Sequence, residues 1–375
     1  MLLVVQLTPP GRGAVATLLV EGPGARDIVS AHFRAASGRA LASYPPGRPV
    51  FGRFGPEPGE EVVVRAASEE SVEVHGHGGH AAVARLTEIL AEADCRQVDW
   101  RDWARDHHKD PITADAHIAL AEARTELAAA ILLDQYHGAL RRAIDAIRAL
   151  LETDQAAEAQ HALETLLARA PLGLHLTTPW QVVLAGPPNV GKSSLINALV
   201  GYRRALVHPM PGTTRDVVTA ATAVEGWPVE LSDTAGLRAG GSAVEEAGIA
   251  LAKERLAAAD LAILVFDASH PWSERDRMLA ETRPDALVVH NKWDLADGAG
   301  AERPPGLRTS AIRGDGIDEL VAAIAHRLVP DPPSADAAVP FTASHVEALR
   351  FAAAALVQGG SSAAKLALGR MSRTR

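Results

Sequence analysis

The sequence predicts an α/β fold in which a P-loop domain is inserted in a helical domain and follows a small α+β domain. Three observations support this. Trp180–Leu199 contains an apolar strand, a glycine-containing loop and a helix in succession. Short β-rich segments recur in the first hundred residues, and an Ala, Leu, Glu and Arg composition typical of packed helices lies between Ala114 and Ala168. The predicted regions are an α+β domain (1–98), helices (99–178), the P-loop domain (179–330) and short further helices (331–375).

Composition limits the classes of protein that this chain can represent. Its 375 residues, 47% hydrophobic and 22% charged, are typical of a globular protein with two or three domains. The net charge of −9 gives no overall attraction to nucleic acid, so RNA contact would need a local patch or a partner. A single cysteine, Cys95, excludes a disulfide framework and is read as a small buried hydrophobe. Without a recognisable export or membrane-spanning segment, we expect a cytoplasmic protein with no membrane partner.

The loop at Gly186–Ser193, GPPNVGKS, fits the pattern GxxxxGK(S/T). In this pattern backbone N–H groups and a helix N-terminus face a polyphosphate. Lys192 would reach the outer phosphates, and the Ser193 hydroxyl would complete the shell of a magnesium ion. The predicted phosphate contacts come from Asn189, Val190, Gly191, Lys192, Ser193 and Ser194.

Two further segments can meet the terminal phosphate. In Gly212–Asp216, the hydroxyls of Thr213 and Thr214 can reach magnesium and the γ-phosphate, although a plain loop explains this segment equally well. Asp233 ends an apolar strand and can hold magnesium through water. The N–H of Gly236 can approach the γ-phosphate and assist its transfer.

The segment Asn291–Asp294, NKWD, indicates which base is bound. The Asp294 carboxylate can accept hydrogen bonds from both the ring N–H and the exocyclic amine of guanine, and adenine offers no such pair of donors. We predict that Asn291 and Lys292 contribute to this site and that Ser310 and Ala311 contact the guanine oxygen. The order of these elements, each at a strand end, predicts a GTP-binding domain at 179–330.

The group that activates water for hydrolysis is less evident. Many switch GTPases carry a glutamine directly after the DxxG element, but Leu237 occupies that position. Glu245 and Glu246 follow a glycine-rich stretch at a predicted helix start. Either of them could orient water, or both could simply favour a helix N-terminus through their charge.

The amino-terminal region carries two glycine-rich turns. Pro9–Gly13 joins two predicted strands, and His75–His80 reads as a tight strand-to-helix turn in preference to a metal site. Arg34–Pro58 is predicted to be surface loop. Trp100–His108 is charged and carries no motif that can be interpreted.

Leucine and isoleucine side chains recur at helical spacing in the middle of the chain. Their spacings of four, three and four predict an apolar stripe on a long helix, one of two or three that pack side by side. Pro171 and Pro179 break the pattern, which places a domain boundary near residue 175. The stripe consists of Leu140, Ile144, Ile147 and Leu151.

These motifs resemble the MnmE (TrmE) family of tRNA-modification GTPases. The nucleotide domain is similar through GPPNVGKSSLINAL, PGTTRD, DTAGLR followed by VEEAGI, NKWD and SA. The first region is similar to that family's folate-binding domain through TPPGRGAVATLLVEGP and VEVHGHGG, and HVEAL at 345–349 looks like the start of its carboxy-terminal helix.

The resemblance implies a specific activity. Asn189 would help to hold a potassium ion, and Glu245, twelve residues after Asp233, would be the catalytic glutamate that orients water. The family forms homodimers through its amino-terminal domains, and its GTPase domains meet across the dimer when GTP is bound. With a flavoprotein partner, MnmG, it installs an aminomethyl-type group on the wobble uridine of certain tRNAs from a tetrahydrofolate one-carbon donor.

The sequence also departs from the family pattern. The family's Cys-containing FCIGK-like tail has no counterpart in Gly369–Arg375, and its GEFT…RAF stretch has no clear counterpart around Trp100–Ala114. Alternative functions therefore stay open at this stage. One is a GTP-driven switch without modification chemistry, as a repurposed paralogue or an RNA- or ribosome-assembly factor. Another is a regulatory protein that binds GTP without hydrolysing it.

Overall fold

The protein is described from a computed structural model that covers residues 1–11, 13–202, 219–233, 256–296 and 303–372. Contacts divide the chain into two units, Met1–Lys109 and Asp110–Arg375. The first unit therefore ends at Lys109, eleven residues after the boundary predicted between residues 98 and 99. Among the described residues, no helix is long and apolar enough to cross a membrane.

The first unit is built on a twisted sheet with the strand order β3-β4-β5-β6-β2-β1-β7 in the described chain. All neighbouring strands pair antiparallel except β1 and β7, which are parallel to each other. Helices α1 and α2 contribute Val29, Leu86 and Leu90 to the core on one face of the sheet. The elements are β1 (Leu3–Gln6), β2 (Val15–Glu21), α1 (Ala25–His32), β3 (Phe33–Ala35), β4 (Pro49–Phe54), β5 (Glu60–Ala66), β6 (Ser71–His77), α2 (His80–Glu92), β7 (Arg96–Val98) and α3 (Trp100–His107).

The prediction of surface loop across Arg34–Pro58 is wrong in part. Strand β4 lies inside this segment, with Val50, Gly52 and Phe54 buried on one face. The alternation of buried and exposed residues in β4 could not be recognised in the sequence, because the buried position 52 carries glycine and not an apolar side chain. A methyl group there would lie 2.2 Å from the carbonyl oxygen of Arg34, so the close approach of β3 requires glycine.

The second unit begins with five helices and closes with two more. The predicted stripe is confirmed in α6, where Leu140, Ile144, Ile147 and Leu151 are all buried. Burying each of these side chains contributes about 1.5–3 kcal/mol. Two or three packed helices were predicted between Ala114 and Ala168, whereas four helices cover this segment and a short fifth follows. They are α4 (Pro111–Glu122), α5 (Glu126–Tyr136), α6 (Ala139–Glu152), α7 (Ala156–Ala168) and α8 (Ala170–Leu174), and the closing pair is α12 (Ala343–Val357) and α13 (Ser361–Ser372).

Between these helices lies a second sheet, with the order β13-β12-β11-β8-β10-β9 among the described strands. All neighbours are parallel except β9 and β10. Parallel strands buried on both faces read as continuous apolar runs, as Leu261–Phe266 does. The elements are β8 (Trp180–Ala185), α9 (Lys192–Gly201), β9 (Thr219–Val224), β10 (Trp227–Asp233), β11 (Leu261–Asp267), α10 (Glu274–Thr282), β12 (Leu287–Asn291), β13 (Leu307–Arg308) and α11 (Ile317–Leu328).

Candidate nucleotide site

The predicted phosphate loop joins the carboxyl end of β8 to the start of α9. Gly191 directly precedes α9 with a φ of 92°, which favours glycine. A methyl group on Gly191 would lie 2.4 Å from Asn291 Nδ2, so the loop and the NKWD segment touch at this point. The loop therefore lies at the carboxyl edge of the sheet, where open α/β folds bind ligands.

Lys192 and Ser193 begin α9 and face the end of β10. The Lys192 side chain is buried, and its Nζ donates to the carbonyl oxygens of Gly186 at 3.2 Å and Pro187 at 3.0 Å. It also lies 4.0 Å from Asp233 Oδ1. Ser193 Oγ donates to Asp233 Oδ2 at 3.0 Å. The structure thus brings together the lysine, hydroxyl and carboxylate that the sequence assigned to phosphate and magnesium.

Asn291 is hydrogen-bonded both to the phosphate loop and to the segment that follows β13. The residue is 1% exposed, and its Nδ2 donates to the carbonyl oxygen of Val190 at 2.9 Å. Its Oδ1 accepts from the backbone N–H of Ala311 at 3.1 Å and from Thr309 Oγ1 at 3.2 Å. Asn291 therefore holds the phosphate loop against the loop that carries Ser310 and Ala311. The role of Thr309 was not predicted, since a threonine at a strand end gives no distinctive signal.

Asp267 is a second residue of the site that was not predicted. Lys292 Nζ donates to Asp267 Oδ2 at 2.7 Å and to the carbonyl oxygen of Asn189 at 2.6 Å. Burial raises the pKa of Asp267, but hydrogen bonds from Lys292 and Ser269 outweigh it and lower the pKa from 3.8 to about 2. An aspartate at the end of the apolar run Leu261–Phe266 was the available signal, because the other site residues also follow strands.

Removing this carboxylate should give a pH-dependent loss of stability. The folded-state pKa of Asp267 lies below its ordinary value, so its contribution is complete above pH 3.8 and is lost as the pH falls toward about 2. In urea titrations, Asp267→Asn should be less stable than the wild type by a constant amount between about pH 5 and pH 7, and the gap should close below about pH 4. A gap that does not change with pH would contradict this role of the ion pair.

A buried histidine and an arginine support the same edge of the sheet. His290 Nε2 lies 2.9 Å from the carbonyl oxygen of Pro304, and burial lowers the pKa of His290. Arg303 donates to the carbonyl oxygens of Asp267 at 3.2 Å and Ala268 at 3.1 Å. These contacts hold the ends of β11 and β12 against the chain that leads into β13.

Asp294 lies exposed in a short helical turn next to the loop of Ser310 and Ala311. The N–H of Trp293 donates to the carbonyl oxygen of Thr309 at 2.9 Å, and the Arg308 guanidinium lies 4.2 Å from the centre of the Trp293 ring. Ser310 is buried, and its N–H donates to the carbonyl oxygen of Asp315 at 2.9 Å. The predicted guanine-contacting residues thus share one end of the sheet, with the Asp294 carboxylate open to a ligand.

Several predicted site residues fall outside the described residues. They are Thr213, Thr214, Gly236 and Glu245.

The two amino-terminal motifs that carried the resemblance come together in the first unit. A methyl group on Gly78 would lie 2.3 Å from the carbonyl oxygen of Gly13, so the two glycine-rich turns are in direct contact. Behind them, Thr17 Oγ1 lies 3.0 Å from His75 Nδ1, and His75 Nε2 lies 3.3 Å from Glu73 Oε2. Strand β6 runs through His77 and α2 starts at His80, which confirms the predicted strand-to-helix turn.

Comparison with known proteins identifies the family of this chain. The family model described as 50S ribosome-binding GTPase matches residues 181–292. The tRNA modification GTPase MnmE of Synechococcus sp. (strain RCC307) is 33% identical over 356 residues, which cover 84% of this chain and 78% of that protein. MnmE of Geobacillus kaustophilus (strain HTA426) is 33% identical over 368 residues, covering 85% and 80%.

MnmE of Geobacter sulfurreducens is also 33% identical, over 360 residues that cover 84% of this chain and 79% of that protein. A solved structure of Era with MgGDPNP and a segment of 16S ribosomal RNA aligns at 28% identity over 41% of this chain and 58% of that chain, with a TM-score of 0.32. The three MnmE relatives, each 33% identical and matched over more than four fifths of this chain, show its family. The chain is a GTPase and belongs to the MnmE family of tRNA modification GTPases.

Proposed function

We propose that this GTPase acts in the modification of the tRNA wobble uridine, and that GTP hydrolysis requires potassium and association of two GTPase domains. The observation that carries the nucleotide part is the contact of the phosphate loop with both Asp233 and Asn291. Comparing tRNA nucleosides from a wild-type and a deletion strain tests the modification part.

Magnesium fits the residues that face the phosphate loop. The Ser193 hydroxyl and the Asp233 carboxylate supply oxygen ligands 3.0 Å apart, and Mg²⁺ prefers oxygen ligands from one or two side chains together with phosphate and water. When bound, the ion would neutralise charge on the phosphates. Lys192, buried beside this pair, would place a further positive charge at the outer phosphates.

Potassium fits the exposed side of the same loop. The Asn189 side chain is exposed, and its amide oxygen is a neutral ligand of the kind that K⁺ accepts. Lys292 fixes the backbone of this residue through the carbonyl oxygen of Asn189. A bound potassium ion would supply the positive charge that an arginine finger supplies in other GTPases.

GTP turnover should therefore depend on the monovalent cation. We expect hydrolysis in KCl to be at least about tenfold faster than in NaCl of equal concentration, since an arginine finger contributes more than this. Asn189→Ala should lose the difference between the salts. Asn197→Ala, which removes an exposed asparagine from α9, should keep it. Equal rates of the wild-type protein in both salts would overturn the potassium proposal.

The catalytic assignment rests on Glu245, with Lys192 and Gly236 as the groups that stabilise the transferred phosphate. Thr213 and Thr214 would approach the γ-phosphate when GTP is bound. Family membership supports these roles and a homodimer formed through the amino-terminal domains. In this scheme two GTPase domains meet only in the GTP state, so hydrolysis is coupled to dimer closure.

The packing of the helices supports the proposed domain organisation. Helix α12 packs against α7, and α13 packs against α6 and α4. Helices that precede and follow the parallel sheet therefore share contacts. From Asp110 onward, this supports the proposed helical domain of 99–178 and 331–375, with the GTPase domain of 179–330 inserted in it. Helix α3, which was assigned to the same domain, lies in the first unit instead.

A tetrahydrofolate fits the polar side chains of Glu73 and His75, which lie next to the two amino-terminal motifs. The Glu73 carboxylate is partly exposed, and it accepts from Arg65 Nη1 at 3.0 Å. A carboxylate complements the adjacent N–H donors of a pterin ring, as it does those of guanine. The bound folate would supply a one-carbon unit, and Glu73 and His75 would orient its ring. Family membership supports the remaining partners, a MnmG-like flavoprotein and a tRNA.

A further inference from the structure

The first unit contains an unusually basic stretch for an acidic protein. Residues 28–56 include four arginines and neither aspartate nor glutamate, although the chain has a net charge of −9. All four side chains are exposed. We call this set, Arg34, Arg39, Arg48 and Arg53, the arginine patch.

Strand pairing brings two of these arginines together. Arg34 of β3 lies directly opposite Arg53 of β4 in the antiparallel register. A methyl group on Gly59 would lie 3.3 Å from both Arg34 Nη2 and Arg53 Cβ, so the two side chains converge over this glycine. Like charges directly opposite each other destabilise a sheet, and an anion bound between them would relieve this repulsion.

The other two arginines share an aromatic ring. The Arg39 guanidinium lies 5.1 Å from the centre of the Tyr44 ring, and that of Arg48 lies 5.7 Å from it. The Tyr44 hydroxyl is hydrogen-bonded to Ser37, two residues beyond β3. Stacking on one ring orients both cations and reduces the entropy that they lose when they bind an anion.

The converging arginines line a depression beside an exposed aromatic ring. It has a volume of about 450 Å³ and is lined by Arg34, Phe51, Arg53 and Glu57 among others. Phe51 is 54% exposed on the same face of β4 as Arg53. An exposed phenylalanine costs solvation free energy, whereas the ring offers a stacking surface to a nucleobase.

The carboxylates near the patch do not block it. Arg53 Nη2 donates to Glu61 Oε1 at 2.8 Å, but both side chains are about half exposed, at 51% and 49%. Exposed ion pairs of this kind contribute only about 0–1 kcal/mol, so a phosphate can replace Glu61 at little cost. Glu57 lies exposed at the rim of the depression.

We propose that the arginine patch and Phe51 form a contact surface for a single-stranded segment of RNA. The arginines would bind successive phosphates, and a base would stack on Phe51. This inference rests on the proposed function, since it names the surface by which an acidic protein could hold a tRNA loop. The arginine patch is also the kind of local basic patch that an acidic protein needs in order to contact RNA.

Binding of a fluorescently labelled anticodon stem-loop RNA to the full chain, measured over a range of KCl concentrations, tests this surface. Arg34→Ala with Arg53→Ala should weaken binding and lower the slope of log Kd against log salt by about 1.4, or about 0.7 for each lost phosphate contact. Phe51→Ala should weaken binding roughly tenfold with an unchanged slope, because stacking releases no counterions. Arg34→Lys with Arg53→Lys should restore most of the slope.

A matched control removes the same charge elsewhere in the same unit. Arg85 and Arg96 are exposed, and Arg96 lies on β7 at the opposite edge of the sheet from β3. Arg85→Ala with Arg96→Ala should leave both Kd and slope close to those of the wild type. Equal losses in the two double variants would show a non-specific charge effect and overturn the proposal. An unchanged affinity of the Arg34/Arg53 variant, or its conversion from dimer to monomer in sedimentation, would also overturn it.

The test separates this inference from the proposed function. If a deletion strain keeps its wobble-uridine modification, the proposed function fails while the RNA titration can still succeed. If the modification is lost and the Arg34/Arg53 variant binds RNA like the wild type, the contact surface alone fails.

Discussion

Glu245→Ala is expected to lower the rate of GTP hydrolysis by roughly 10²–10⁴-fold while leaving GTP affinity nearly unchanged, the loss typical of removing a positioned acid–base group. The carboxylate would orient the attacking water, a role that Leu237 cannot perform at the usual glutamine position. Because it acts only on water, nucleotide contacts from the phosphate loop should persist. Single-turnover hydrolysis and equilibrium titration with a fluorescent GTP analogue measure the two quantities separately.

The adjacent glutamate provides the control for this variant. Glu246→Ala removes the same charge one residue further along the chain. If both carboxylates only favoured a helix N-terminus, the two variants should behave alike, with small losses. Equal hydrolysis by Glu245→Ala and the wild type would refute the assignment.

Asp294→Asn is expected to weaken GTP binding by roughly a hundredfold or more and to improve binding of XTP. The Asp294 carboxylate would accept two hydrogen bonds from guanine, and asparagine presents a donor where the exocyclic amine needs an acceptor. Xanthine carries a carbonyl oxygen at that position, so the asparagine amide can donate to it. Competition titrations with GTP and XTP give both affinities.

The reciprocal gain for XTP distinguishes specificity from unfolding. A variant that lost both nucleotides would have a damaged site, and its thermal stability would reveal this. Asp315→Asn is a suitable companion, since Asp315 is exposed in the neighbouring loop and pairs with Arg313. It should leave the preference between the two bases unchanged.

The meeting of the phosphate loop with Asp233 and Asn291 could be predicted because each of these groups occupies a fixed place at or after the end of a strand. Gly191, Lys192 and Ser193 lie between a strand and a helix, and Asp233 and Asn291 end strands in the sheet. Parallel strands align these ends at one edge, so sequence order is enough to gather the residues. The pairing of Lys292 with Asp267 could not be foreseen, since it depends on which strands are neighbours.

The amino-terminal unit was harder to read. Strand β4 combines glycine, arginine and proline, which are frequent in loops, and its identity is established by pairing with β3 and β5. The cross-strand meeting of Arg34 and Arg53 is equally invisible in the sequence, where they are far apart. The helix α3, for which no motif could be interpreted, is held to β2 by a hydrogen bond from Trp103 Nε1 to Glu21 Oε2 at 2.6 Å.

The most direct test of the account is mass spectrometry of tRNA nucleosides from a strain that lacks this gene. We predict that the aminomethyl-type group on the wobble uridine disappears, that the wild-type gene restores it, and that the gene encoding Glu245→Ala does not. Wobble uridines that remain fully modified in the deletion strain would contradict the proposed role in tRNA modification. They would favour a GTP-driven switch without modification chemistry.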